Sequence, residues 1–147
     1  MKVHQLSLFL ENRPGTLKIP VQSLAEAGIN LAALCLADTS DFGILRLIVQ
    51  DWPRARSVLE KAGCVVSVTE VLALDVADTP GGLGAILEIL EEAKLEIEYM
   101  YAFSGGAPGA KAALIFRFQD PDGAIRALER NGINIIAPVQ LFKGRAD

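Results

Sequence analysis

The sequence predicts an α+β protein built from two tandem copies of one small module, each running strand, helix, strand, strand, helix, strand. Three observations predict this. A segment of the first half returns in the second, the hydrophobic period switches between strand-like and helix-like in the same order in both halves, and a Pro-Gly turn stands at the same place in each copy.

The repeat is read directly. Asn12-Arg13-Pro14-Gly15-Thr16-Leu17 returns 66 positions later as Asp78-Thr79-Pro80-Gly81-Gly82-Leu83, and Gly28-Ile29-Asn30-Leu31 returns as Lys94-Leu95-Glu96-Ile97. Beyond the next loop the offset becomes 69, pairing Asp51 with Asp120, Leu59-Glu60 with Leu128-Glu129, and Gly63 with Gly132. Three added residues therefore belong in the Gly-rich stretch from Ser104 to Gly109, as expected of an exposed loop.

In the first copy, Val3 to Leu10 alternates, with Leu6, Leu8 and Leu10 on one face and Gln5 and Ser7 on the other. Pro14 then suits the first turn of a helix, with Asn12 or Arg13 as the cap region. Leu17, Val21 and Leu24 recur at helical spacing, and Gly28 ends the helix. Pro20 conflicts with a helix starting so early, because it has no N–H for the Thr16 carbonyl; either the opening turn is separate or the helix bends. Ile29 to Ala37 and Phe42 to Gln50 read as strands around the turn Asp38-Thr39-Ser40-Asp41. Asp51 caps a second helix ending at Gly63, and Cys64 to Leu72 is β-rich.

The second copy repeats this pattern. The run Val65 to Val76 must hold the last strand of one module and the first of the next, so almost no linker remains. The expected modules are 1–70 and 71–147, with the boundary near Thr69 to Leu72. Each should form a four-stranded antiparallel sheet in the order 4-1-3-2 with both helices on one face, a ferredoxin-like arrangement. The two modules should lie side by side.

Composition bounds the function. With 51% hydrophobic and 22% charged residues among 147, the chain is globular. A net charge of −4 gives no overall field for phosphate backbones or anionic lipid, so neither nucleic acid nor membrane is expected as a partner. No apolar run is long enough to cross a bilayer. Met1 to Glu11 lacks a basic region followed by an apolar block, so it does not read as a signal peptide, and the expected location is cytoplasmic. Cys35 and Cys64 form no CxxC pair; on opposite edge strands about 14 Å apart they would be reduced packing residues.

Leu10-Glu11-Asn12-Arg13-Pro14-Gly15-Thr16-Leu17, followed by Ala27-Gly28-Ile29-Asn30-Leu31, resembles the ACT domain. In that family a polar pair and Asn/Arg-Pro-Gly-x-Leu join the first strand to the first helix, and Gly-(Ile/Val)-Asn-(Ile/Leu) opens the second strand. The resemblance implies regulatory binding of a small molecule, usually a free amino acid, near a junction of paired modules. The ligand-binding candidates it implies are Asn12, Arg13, Pro14, Gly15, Thr16 and Leu17 of the loop, with Asn30 and Leu31 on the second strand. The second-module candidates are Asp78, Gly81, Gly82, Leu83 and Glu96. Leu10 stands where some amino-acid-feedback members carry His.

The chemistry is consistent with that implication. Helix-start N–H groups, freed by Gly15 at the second helical position, suit a carboxylate, and Asn side chains offer both donor and acceptor. Asp78 and Glu96 replace Asn12 and Asn30 in the second module and would repel a carboxylate, so the two sites are expected to differ. A plain capped turn at Asn12–Leu17 is the competing structural reading.

Other signals are weaker. His4 is the single histidine, which leaves no histidine cluster for a metal and no His-based triad; a solvated or strand-edge role is expected. Arg46 and Arg117 stand between apolar neighbours on third strands, to pair with Glu98 or Asp75 across the sheet or to anchor a ligand carboxylate. Tyr99 and Tyr101 share a face and suit core or interface packing. Ser104 to Lys111 has the wrong spacing for a phosphate loop, and Gly82-Leu83-Gly84 is no dinucleotide fingerprint.

The expectation is thus a non-catalytic, cofactor-free regulatory protein that binds a free amino acid and signals to a partner or to its own oligomer. Long apolar edges such as Ile29 to Ala37 point to a homodimer. Two competitors remain: a regulatory subunit docked on an amino-acid biosynthetic enzyme, and a small ferredoxin-like enzyme.

Overall fold

In the computed structural model, which describes residues 1–38, 40–104 and 111–143, the first module begins with strand β1 (Val3–Glu11). Helix α1 (Lys18–Glu26), strands β2 (Ala33–Asp38) and β3 (Phe42–Ile48) and helix α2 (Trp52–Lys61) follow. Strand β4 (Val66–Val76) is one unbroken run that ends the first module and begins the second. The second module continues with α3 (Gly82–Glu92), β5 (Ile97–Ser104), β6 (Ala112–Phe118) and α4 (Pro121–Arg130), then a short helix α5 (Pro138–Phe142) that the repeat does not predict. The expected turn residue Thr39 and the Gly105–Gly109 part of the inserted loop lie outside the described residues.

The chain divides into two units. The N-terminal unit is His4–Thr69 with Phe142, and the C-terminal unit is Met1–Val3 with Glu70–Leu141. In the N-terminal unit the strands run in the order β2-β3-β1-β4, which is the expected 4-1-3-2. Leu6 faces Leu47 and Leu8 faces Leu45 in an antiparallel register. These four leucines pack with Leu24 of α1 and with Ala55 and Leu59 of α2. Because alternate strand residues share a face, one set of leucines meeting both helices puts both helices on the same side. Gln5 and Ser7 point the other way and are also buried; the Gln5 amide donates to the Ser7 hydroxyl at 3.1 Å, meeting part of the polar demand of that burial.

The C-terminal unit repeats the plan with a shortened last strand. β4 pairs antiparallel with β6, and β6 with β5. The fourth strand is reduced to a bridge between Leu74 and Ile135, supported by Asp75 N–H to the Asn134 carbonyl and Ile136 N–H to the Ala73 carbonyl. Its core joins Leu72, Leu74, Leu114, Phe116 and Phe118 to Ile86 and Leu90 of α3 and Leu128 of α4.

The first helix takes the separate-turn form, one of its two expected alternatives, and two other expectations about it are corrected. It starts at Lys18, residues 14–17 forming a separate turn, and its N-cap is Leu17 without a side-chain cap bond, so neither Asn12 nor Arg13 caps it. Pro20 is the reason: as the third helical residue it needs no acceptor for an amide, whereas a helix running from Pro14 would need one. In the second copy Ile86 stands at the matching place and has an N–H, and α3 begins earlier in the repeat, at Gly82. The buried stripe of α1 is Pro20 and Leu24, so Leu17 and Val21 lie outside the core, 40% and 38% exposed.

The second strand also begins later than expected. Gly28 and Ile29 close the end of α1 by donating to the Ala25 and Leu24 carbonyls, so ladder geometry starts only at Ala33. By contrast, Asp51 caps α2 as predicted, its carboxylate accepting the Arg54 amide at 3.2 Å, and Asp120 does the same for Gly123 at 2.9 Å.

Candidate functional site

The loop from β1 to α1 is braced by its own residues. Gly15 takes φ of +89°, a left-handed conformation that a side chain resists, and Gly81 takes +87° at the matching place. The Thr16 hydroxyl lies 2.7 Å from the Glu11 carbonyl oxygen and 2.8 Å from that of Arg13, sharing one proton between them. Asn12 ties the loop to the β2–β3 turn, its N–H donating to the Asp41 carbonyl at 3.0 Å and its side-chain amide to the Ser40 carbonyl at 3.4 Å. Gly15 therefore belongs to a turn, not to the second helical position, and the Thr16 amide is used within that turn by the Arg13 carbonyl.

Beside this loop lies a cleft of about 230 Å³. Arg13 and Thr16 line it with Glu11, whose carboxylate forms an ion pair with the Arg13 guanidinium. Its apolar wall comes from Phe9, Ile19, Pro20 and Val65, and Cys64 adds a thiol that burial pushes above its ordinary pKa. Ile19 and Val65 enter from segments that no spacing in the sequence connects with the loop.

Asn30 lies elsewhere. It precedes β2, is exposed, and lines a second cleft of about 170 Å³ with Gln50, Asp51, Arg54 and Phe142. Arg54 is already engaged there, donating to the Ala27 carbonyl at 2.6 Å. Asn12 and Asn30 stand before and after α1, and Asn30 does not line the cleft beside the Asn12 loop. Leu31 is half-buried against the leucine core.

The second-module loop is built differently. Gly81 is the N-cap of α3, and Gly82 and Leu83 are already helical. A Cβ on Gly82 would stand 2.2 Å from the Ala77 carbonyl oxygen, so the backbone passes too close for any side chain. Asp78 is exposed in the turn, and Glu96 precedes β5, its carbonyl accepting the Gln119 amide at 3.3 Å.

The remaining candidates have structural surroundings. Arg117 donates to Glu98 at 3.1 Å and to the Glu70 carbonyl at 2.9 Å, the cross-sheet pairing that was one of its two expected roles. Asp75 instead accepts from Asn134 at 2.7 Å. Arg46 is half-buried on β3, opposite Ser7 and Cys35. His4 is half-buried on β1, its ring stacked on Trp52 with centroids 4.7 Å apart. Tyr99 and Tyr101 are half-buried on β5, and both cysteines are free thiols. No helix among the described residues is long and apolar enough to cross a membrane.

Two βαββαβ units sharing a strand, each entered by a left-handed glycine loop between its first strand and first helix, define a tandem ferredoxin-like protein. The chain belongs to the ACT family: the model of the ACT domain pair matches residues 1–143. It is similar to the crystal structure of protein BT0572 from Bacteroides thetaiotaomicron, with 37% identity over 97% of each chain and a TM-score of 0.90. The fold also matches the ligand-free regulatory subunit of aspartate kinase from Thermus thermophilus, with 17% identity over 88% of this chain and 93% of that one, and a TM-score of 0.64. Aspartate kinase from Synechocystis matches with 19% identity over 98% of this chain but 27% of that chain, and a TM-score of 0.61. No curated protein sequence matches the chain.

Proposed function

We propose that this ACT pair is a non-catalytic regulator that binds a free amino acid beside the β1–α1 loop of the N-terminal unit and signals occupancy to a partner or to its own oligomer. The observation carrying this reading is the cleft in which Arg13, Thr16 and Glu11 meet. A guanidinium suits the ligand carboxylate and a carboxylate suits its ammonium group, and both sit on a loop that Gly15 and Thr16 hold in shape. The C-terminal unit is the poorer binder, because its loop carries the negative charge of Asp78 and has Thr79 in the place of Arg13.

The test is a thermal-shift and calorimetric screen of the full chain against the twenty common amino acids. A ligand at about one hundred times its Kd adds about 2.7 kcal/mol of stability. Arg13→Ala should then weaken binding by about 1 to 3 kcal/mol, since it leaves the ligand carboxylate unpaired. Asn30→Ala, in the other cleft, should leave affinity nearly unchanged. The reverse pattern moves the ligand to the Asn30 cleft, and no response to any amino acid rejects the sensor.

A second reading, a regulatory subunit docked on a biosynthetic enzyme, is favoured by the β2 edge. Leu34 and Leu36 lie there 56% and 49% exposed, and an uncovered apolar edge invites pairing with an enzyme or with a second copy in a homodimer. Co-purification with a larger subunit supports the enzyme partner, and light scattering of the isolated chain reports the homodimer.

A further inference from the structure

We propose that the cleft beside the β1–α1 loop selects an amino acid with an apolar side chain: leucine, isoleucine, valine, methionine or phenylalanine. The inference rests on the binding reading above and names the ligand class for the same cleft. Its two ends differ in chemistry. One end carries the Glu11–Arg13 ion pair, both side chains largely exposed, at 54% and 71%. Apart from Thr16 and Gly63, the remainder is apolar side chains and a thiol, with Phe9, Ile19, Pro20, Cys64 and Val65 prominent among them.

The apolar end is not spare core. Phe9, Ile19 and Val65 are 57%, 53% and 69% exposed, yet they converge on one cavity from β1, α1 and the approach to β4. Apolar surface left in water inside a concave site is what a ligand with its own apolar surface can cover. The charged end makes the site specific for a zwitterion, since Arg13 has guanidinium donors beyond those turned to Glu11, and Glu11 keeps carboxylate acceptor sites for an ammonium group. A volume of about 230 Å³ lies below the roughly 300–1,000 Å³ of sites for larger ligands and suits one amino acid. No charge in the apolar part of the lining could meet a lysine, arginine, aspartate or glutamate side chain, and burying such a group unpaired is costly.

The experiment is calorimetric titration of the full chain with leucine, phenylalanine, glycine, serine, lysine and aspartate, repeated on Val65→Lys and Arg13→Ala. Burying an aliphatic side chain corresponds to about a tenfold to hundredfold gain in affinity, so leucine or phenylalanine should bind that much more tightly than glycine or serine. Val65→Lys should remove this preference, bringing the leucine-to-glycine affinity ratio close to one; Val65 is 69% exposed, so folding is not at stake. Arg13→Ala should weaken leucine and glycine alike. If a charged or hydroxylated amino acid binds tightest, the apolar selectivity is overturned and the sensor reading stands. If Val65→Lys leaves the leucine-to-glycine ratio intact, the apolar wall is the wrong one. Absence of binding by every amino acid overturns both.

Discussion

The hydroxyl of Thr16 lies 2.7 Å from the carbonyl oxygen of Glu11, across the base of the β1–α1 loop. This contact holds Glu11, the acidic partner of Arg13, next to the turn that carries Gly15. Thr16→Val keeps the shape of the side chain and deletes the donor, so it should cost about 1 kcal/mol of stability. Thr16→Ser should retain most of it. Urea unfolding of the two variants gives the comparison, and a loss in Thr16→Ser with none in Thr16→Val would show that the methyl group matters, not the hydroxyl.

Lys94 occupies the place in the second copy that Gly28 holds in the first, and it adopts φ of +54° where Gly28 has +68°. A side chain in the left-handed region costs about 1 to 2 kcal/mol relative to glycine, partly offset by glycine's greater freedom in the unfolded chain. Lys94 is exposed after the end of α3. Lys94→Gly should therefore stabilise the protein by about 0.5 to 1 kcal/mol in chemical denaturation. A loss of stability would mean that the lysine makes a favourable interaction exceeding the backbone penalty.

Gly15 and Gly82 should respond to alanine for different reasons. Gly15 has open space around its missing Cβ but a positive φ, so Gly15→Ala should cost about 1 to 2 kcal/mol through the backbone alone. Gly15→Asn should cost less, because Asn tolerates that region. Gly82 has an ordinary φ but would drive its Cβ into the Ala77 carbonyl, so Gly82→Ala and Gly82→Asn should both be damaging. Thermal denaturation of the four variants separates strain from collision.

Cys64 reports on its cleft. Burial disfavours the thiolate and raises the thiol pKa, so alkylation near pH 8 should be slower than for free cysteine, and the rate should keep climbing above the usual thiol range. The linkage has the matching sign. A folded-state thiol pKa raised above the unfolded value favours the folded state below the unfolded pKa, and that contribution is lost as pH rises through the folded pKa. A ligand in the cleft should slow alkylation further. Mass spectrometry after a timed iodoacetamide pulse, on wild type and Cys35→Ser, measures both effects. Unchanged Cys64 labelling at saturating ligand would place the ligand elsewhere.

The repeat made most of the architecture legible before any coordinates. Alternating leucines mark the inner face of β1, Asp51 and Asp120 mark the starts of α2 and α4, and Val65 to Val76 announced a shared strand. These are local signals: the period of a side-chain pattern and the hydrogen bond of a cap depend on neighbours a few residues away, and the chain carries those neighbours with it. The conflict at α1 was local as well. Pro14 and Pro20 compete to start the helix, and the missing amide of Pro20 outweighs the favourable placement of Pro14.

The site divides along the same physical line. The residues proposed to meet a zwitterion, Arg13 and Glu11, stand together in one motif, and the resemblance to the ACT family rests on that motif with Ala27–Leu31. Which of those residues share a cleft depends on chain segments converging in space. Asn12 and Asn30 belong to one pattern in sequence, but Asn30 lines a different cleft from the one beside the Asn12 loop. Ile19, Cys64 and Val65 belong to no common pattern, yet the packing of α1 and the entry to β4 against β1 brings them beside Arg13. Helix and strand preferences act over a few residues, whereas a cavity wall is assembled by long-range packing, so only the folded chain could reveal the apolar side of this cleft.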